Sequence, residues 1–523
     1  MSLSGHWWSA SKSYVSEILS LFAAEPGREV FHWRGTAFTG ADLIRSVTDT
    51  YLALRERGVG RGDVVAILVA ANSPETLTAR YATQLLGGAV CYLRTTNPGT
   101  KVTVLPLDQQ IQILQDTGAV TVFTDAECAE RATEIAAAHG IPVTRGEAGH
   151  SEGADVPDAA AWDSEALAFI NFTSGSTGRP KGIRVSGRAW DATLRAWQGL
   201  GGEAGCTSLL VSTPLSHGVA PMADAVLASG SALYAQESFD AANFVQTVAA
   251  EPEITWTFMA TTHVFQLSDH LLEQGIGDRA AVAAAGLSSL KRIVYGGSPA
   301  APARIAQAFE LFGPVLAQGY ATSESGRITT LTPLQHGDPD LAGTVGRPFP
   351  EVQVVVCNSE SGAPLAAGEI GEVRVRTPQT MDGYLGDPEL TARVLRDGWY
   401  FTGDIGCLDE RGYLTLLGRV ADVIKVDGVK VHPIVVESEI LAHPGVRHAA
   451  VYGVRDEDGS EHIHAAIECD PTLAVDVDDI RASIAEAFSP IHVPETINVL
   501  EVLPMNRNGK PDKVILRSAA ARH

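Results

Sequence analysis

The sequence predicts an α/β protein of more than one domain, and three observations carry that reading. The chain has 523 residues, 45% of them apolar and 19% charged, enough to bury a large core and polar enough to be globular. From Val30 to Pro98 helical and strand patterns alternate, as they do in layered α/β units with parallel strands. From Gly343 to Thr402 strand signals dominate, and the segment after Asp422 mixes short strands with two helices.

The elements follow in order. Leu43–Glu56 has helical spacing, GVGRGDVVAILVA turns into a buried strand, and Ser73–Leu86 is helical again. An Ala/Glu-rich helical stretch from Asp125 to Gly140 and an acidic, Gly-rich loop from Gly146 to Ala160 lead to LAFINF, a short buried strand at Leu167–Phe172. IRVS marks another strand after Gly182, Arg188–Leu200 a helix and Ser208–Thr213 a strand. Lys291–Ala300, KRIVYGGSPA, reads as a strand entering a Gly-Gly turn, followed by a helix and by VLAQGYATSESG. VQVVV, GEIGEVRVRT and MDGYLG are assigned to one distorted β-barrel. Beyond it come strands at 422–432, a helix at Ile434–Ala442, strands at 446–454 and 461–469, a helix at 477–488 and a strand at 496–502.

Composition excludes some functions. A formal charge of −23 argues against nucleic acid or an anionic membrane as the main partner. It does not argue against a nucleotide, because a few local cations and N–H donors outweigh distant charge screened by salt. The longest apolar run, VVAILVAA, is too short to span a bilayer, and the N-terminal residues carry no secretory pattern. Six cysteines are scattered without a CxxC pair, which fits a reducing cytoplasm and neither a disulfide frame nor a zinc site.

The most informative stretch is Thr173–Gly182, TSGSTGRPKG, a loop between two strands. Its glycines let backbone N–H groups approach an anion, and Thr173, Ser174, Ser176 and Thr177 add hydroxyl donors. It is not a Walker loop, since Pro180 rather than Gly precedes Lys181 and Gly182 rather than Ser or Thr follows it.

TSGSTGRPKG resembles the phosphate loop of the adenylate-forming superfamily, which includes acyl-CoA synthetases, adenylation domains of peptide synthetases and beetle luciferases. The order of later motifs is similar to that of the superfamily from end to end. The resemblance implies a large N-terminal domain, residues 1–419, of two α/β subdomains plus a distorted β-barrel. It also implies a small, mobile α+β C-terminal domain, residues 420–523. It places ATP phosphates at Thr173, Ser174, Gly175, Ser176, Thr177, Gly178 and Lys181. The adenine site falls at Gly297, Ser298, Tyr320, Ala321 and Thr322: Tyr320 stacks on the base, Ser323 donates to the α-phosphate and Glu324 holds Mg²⁺. Read without the family, Glu324 is a solvated loop carboxylate. Asp404, in a TGD turn, accepts from the ribose hydroxyls, and Arg419 completes those contacts; a plain surface-turn aspartate is the other reading. His217 resembles a gate between acyl and nucleotide sites, against the alternative of an ordinary loop histidine. Lys425 and Gly428 belong to the thiol-transfer state, Gly428 lining the pantetheine channel, and Lys510 is the catalytic lysine of adenylation.

Four positions depart from the family pattern: Ala321 stands for Gly, Ser323 for Thr with the hydroxyl kept, Ala421 for the hinge Asp, and Gly187 for a frequent His. The implied function is an ATP-dependent acyl-CoA synthetase acting on a small-molecule carboxylic acid, with ATP/AMP, Mg²⁺ and coenzyme A. The FDAAN at Phe239 matches acyl ligases better than peptide-synthetase domains. Open alternatives are a carrier-protein acceptor, a luciferase-type oxygenase, and a relative that makes only the thioester from supplied acyl-adenylate. Oligomers are compatible with the sequence.

Overall fold

The computed structural model describes residues 13–94, 104–146, 156–157, 159–160, 163–173, 180–203, 205–456, 459–471, 473–505 and 511–520. Two large sheets account for the α/β character. The first has seven strands, in the order Gly383–Tyr384, Lys181–Ser186, Leu167–Thr173, Ala89–Tyr92, Val64–Leu68, Thr121–Thr124, Val143–Arg145. Its five strands from Leu167–Thr173 onward in that order are parallel, and fully apolar runs such as Val64–Leu68 fit a sheet covered on both faces. The second has nine strands, centred on Ser208–Val211, Ile254–Ala260, Arg292–Gly296 and Leu316–Thr322, again parallel to one another.

The apolar cluster between these layers includes Leu19, Leu43, Val65, Leu77, Phe169, Leu194 and Met222, all at most 1% exposed. The helix Glu75–Leu85 is buried on nearly every side, so even its Arg80 lies in this core.

A five-stranded antiparallel half-barrel follows, with strands Gln353–Cys357, Gly371–Arg376, Trp399–Leu408, Leu395–Arg396 and Leu414–Arg419. MDGYLG was expected in this barrel and is not there. Gly383 and Tyr384 pair with Arg184 and Ile183, at the edge of the seven-stranded sheet. Strand propensity identifies an extended segment but not its partner, which here is the strand Lys181–Ser186. TGD is likewise no turn: Asp404 lies inside the strand Trp399–Leu408, opposite Arg419, with a register irregularity just after it.

The C-terminal segment has the hairpin Ile424–Val426/Val429–Val431 and the three-stranded mixed sheet Val446–Arg455, Glu461–Cys469, Thr496–Leu500. The helices Pro433–Ala442 and Val477–Ala487 cover one face through Val436, Ile440, Ile480 and Ile484. A last helix, Lys513–Ala520, was not expected; it seats Leu516 against Ala450, Tyr452 and Leu503 on the other face. No helix among the described residues is long and apolar enough to cross a membrane.

Candidate functional site

The site is built where the nine-stranded sheet, the half-barrel and the hairpin Leu167–Thr173/Lys181–Ser186 meet. Thr173 and Lys181 are the last paired residues of the hairpin, facing each other across antiparallel strands. Ser174, Gly175, Ser176, Thr177 and Gly178, the tip between them, lie outside the described residues, as does Lys510.

Gly296 ends the strand Arg292–Gly296 beside Gly319. A Cβ at Gly296 would stand 2.3 Å from the Gly319 carbonyl oxygen, so only glycine lets the two strands run together here. Past it the Gly297–Ser298 turn is tied down by the Thr261 hydroxyl, which donates to the Ser298 carbonyl at 3.1 Å. The neighbouring strand delivers Tyr320, then bulges before Ala321. Ala321 and Ser323 are exposed, and Thr322 turns inward to accept from the Ser325 N–H at 3.1 Å.

Tyr320 and Asp404, 84 positions apart in sequence, meet directly, the phenol donating to Asp404 Oδ2. Burial first, then the Asp404 charge, pushes the Tyr320 phenol well above its ordinary value, so it remains a donor. Asp404 Oδ1 takes Arg419 Nε at 2.8 Å. Asp404 is 7% exposed, whereas the Arg419 side chain is 57% exposed, so this pair is screened and serves orientation more than stability. Thr402 Oγ1 accepts from the Asp404 N–H at 3.0 Å and fixes the backbone beneath it.

Glu324 lies on the loop after Thr322, its carbonyl accepting from the Met381 N–H at 2.7 Å. Its Oε1 accepts from the Tyr384 hydroxyl at 2.9 Å, and Lys181 Nζ lies 5.9 Å from the centroid of the same Tyr384 ring. Sequence reading missed Tyr384; its signal was the GYL between two half-barrel strands, readable only once that segment is known to join the other sheet.

His217, Lys425 and Gly428 are carried by other elements. His217 is half-buried, with Nδ1 2.7 Å from the Ser216 hydroxyl, in the loop before the helix Ala220–Ala228. Lys425 and Gly428 are exposed on the C-terminal hairpin, where the Lys425 N–H donates to Glu461 Oε2 at 2.9 Å. Ala421 sits in a short 3-10 turn, Val420–Asp422, directly after Arg419.

Among the described residues no group of three or more His, Cys, Asp or Glu converges on a metal position. Glu324 as a single carboxylate, with Oε1 held by the Tyr384 hydroxyl, fits Mg²⁺, which takes one or two carboxylates and completes its shell with phosphate and water.

The sequence matches the AMP-binding enzyme family over residues 21–385 and that family's C-terminal domain over residues 435–510. The chain belongs to the adenylate-forming AMP-binding enzymes. A medium/long-chain fatty acid–CoA ligase of Mycobacterium tuberculosis is 27% identical to this AMP-binding enzyme over 516 residues, covering 92% of this chain and 86% of that one. A feruloyl-CoA synthase of Amycolatopsis is 30% identical over 483 residues, covering 91% and 92%. Among solved structures, an amide bond synthetase of Marinactinospora thermotolerans superimposes with a TM-score of 0.85 at 32% identity, covering 97% of this chain and 99% of that one.

Proposed function

We propose that this AMP-binding enzyme is an acyl-CoA ligase: it couples a small carboxylic acid to AMP with release of pyrophosphate, then transfers the acyl group to the thiol of coenzyme A. The observation that carries the reading is the meeting of Tyr320, Asp404 and Arg419, with Glu324 and Lys181 linked through Tyr384. Such a set offers an aromatic face for a base, an acceptor for vicinal hydroxyls, and a cation and carboxylate on the phosphate side.

In the first half-reaction a carboxylate oxygen attacks the α-phosphorus and the bond to pyrophosphate breaks. Two anions must approach, so N–H donors and cations have to offset the charge of the transition state. Lys181, the Thr173 hydroxyl and the phosphate loop serve the β- and γ-phosphates, Ser323 the α-phosphate, and Lys510 the attacking oxygen. Bound Mg²⁺ would neutralise phosphate charge beside Glu324. In the second half-reaction the thiol attacks the acyl carbonyl, AMP departs and a thioester remains. Residues 420–523 would form a domain that turns about Ala421, exchanging Lys510 for the face bearing Lys425 and Gly428, with His217 gating thiol entry. A cytoplasmic location fits the six unpaired cysteines.

A second reading, an amine as final acceptor, is favoured by the likeness to the amide bond synthetase over nearly the whole of both chains. Incubation with ATP, Mg²⁺, a panel of acids and either coenzyme A or a panel of amines, followed by mass spectrometry, separates the two. Thioester with coenzyme A supports the ligase; amide alone replaces it with the second reading; neither product, with no acid-dependent AMP, removes both.

A further inference from the structure

We propose that Tyr384 is a positioning residue for the triphosphate side of the site, its hydroxyl fixing the Glu324 carboxylate and its ring seating Lys181. The inference rests on the nucleotide reading above and adds a residue to it.

The placement of Tyr384 is over-determined. Its strand pairs with the return strand of the phosphate loop, Tyr384 opposite Ile183. On one side the Leu385 N–H donates to the Gly182 carbonyl at 2.8 Å and the Asp382 N–H to the Arg184 carbonyl at 2.9 Å. The Asp382 carboxylate in turn accepts from the Ser186 N–H at 2.6 Å and from Arg188 Nη2 at 3.0 Å, at the start of the helix Gly187–Glu203. On the other side the Met381 N–H holds the Glu324 carbonyl. The Tyr384 N–H donates to the Thr391 hydroxyl at 2.9 Å, and Gly383 is required there, since a Cβ would stand 2.7 Å from Thr391 Cγ2. Five residues therefore bridge the Glu324 loop to the strand that carries Lys181.

The side chain completes the bridge. Tyr384 is 9% exposed, and burial together with the Glu324 charge keeps its phenol protonated as a donor. It takes Glu324 Oε1, while among the described residues Oε2 receives no hydrogen bond. A carboxylate with one oxygen pinned has lost most of its rotational freedom, so the other oxygen is presented in one direction. That is what a cation bound with few protein ligands needs. The ring face toward Lys181 Nζ, at 5.9 Å, attracts the ammonium and restrains a side chain that otherwise has four rotatable bonds.

The test is calorimetric binding to the full-length protein without turnover, using the non-hydrolysable analogue AMPCPP with Mg²⁺, AMPCPP with EDTA, and AMP. Tyr384→Phe keeps the ring and removes the hydroxyl. The expected result is about tenfold weaker binding of Mg–AMPCPP, the loss of one hydrogen bond to a charged group. AMP and metal-free AMPCPP should bind within about twofold of wild type, since the ring remains. Glu324→Gln and the double variant complete a cycle: once Glu324 is replaced, removing the hydroxyl should cost nothing further. Wild-type affinity for Mg–AMPCPP in Tyr384→Phe overturns the proposal, and so does an equal loss for AMP, which would mean general distortion. If Tyr384→Phe does not fold, an additive cycle with Tyr384→Trp overturns it equally. Wild type that binds none of the three ligands instead removes the nucleotide reading itself.

Discussion

Replacing Asp224 by alanine tests whether the core beneath the site depends on a buried charge pair. Arg80 and Asp224 both have fully buried side chains and form an ion pair. The same oxygen, Asp224 Oδ1, accepts from the Tyr81 hydroxyl at 2.6 Å. The guanidinium lies 5.2 Å from the Tyr81 ring centroid and 5.8 Å from those of Phe169 and Trp190. Burial opposes its charge, but the Asp224 carboxylate holds Arg80 well above its ordinary value. Arginine does not lose its proton in proteins, so Asp224→Ala leaves a bare cation in the core. Breaking a buried pair in this way costs about 3–5 kcal/mol. The three rings return part of that, about 1 kcal/mol, leaving a net loss of about 3 kcal/mol. Against a typical total of about 5–15 kcal/mol that is a large fraction. The double variant Arg80→Met/Asp224→Leu removes both charges at similar volume and should lie within about 1 kcal/mol of wild type. Guanidinium chloride unfolding followed by tryptophan fluorescence reads the difference as a shift in midpoint at constant slope. Asp224→Ala as stable as wild type would refute the reasoning. A double variant as unstable as the single one would show that packing, not charge, sets the cost. The pair also matters for the site: Phe169 lies on the strand that ends at Thr173, and Asp224 on the helix after the His217 loop.

Of three more predictions, those on Asp404 and His263 rest on the geometry and that on Lys510 on the family resemblance. Asp404→Ala deletes the acceptor that Tyr320 and Arg419 orient and that the ribose would use; two charge-assisted hydrogen bonds are worth about 3 kcal/mol or more, so calorimetry should find AMP binding at least about a hundredfold weaker. Unchanged AMP affinity would take Asp404 out of the site. Lys510→Ala should slow adenylation by about 3–4 kcal/mol, the scale of one preorganised transition-state donor, and a variant with the full rate would exclude Lys510 from the mechanism. His263, 6% exposed and stacked on Phe239 at 4.4 Å, is lowered to about 4 by burial. Between pH 6.5 and about 4 the unfolded state takes up a proton that the folded state refuses, so stability falls by about 3 kcal/mol as pH drops through that window. Denaturation curves of His263→Phe should lose that part of the slope; an unaltered pH profile would contradict the assignment.

What the sequence revealed followed from how local each signal was. The strands flanking the phosphate loop were legible because apolar runs of four to seven residues bounded by Gly and Ser need no distant information. Tyr320 and Asp404 came out through the order of motifs, since nothing local announces that a strand residue will meet another 84 positions on. Tyr384 was hidden because its segment looks like any short strand, and only the folded chain shows it crossing to the loop hairpin. Arg80 was hidden for a different reason. In ETLTARYATQL a lone arginine reads as the solvated face of an amphipathic helix, but this helix is enclosed on all sides and its charge is met by Asp224 from another helix. The final helix, Lys513–Ala520, is one apolar residue deep, with Leu516 buried and Val514 and Ile515 exposed, too weak a pattern to find from sequence.

The measurement closest to the central claim uses a carboxylic acid substrate labelled with ¹⁸O in both carboxyl oxygens. If the carboxylate attacks the α-phosphorus, each turnover with ATP and acceptor delivers one labelled oxygen to AMP and leaves the other in the acyl product, as mass spectrometry will record. Unlabelled AMP, or formation of ADP and phosphate in its place, would contradict activation through an acyl-adenylate.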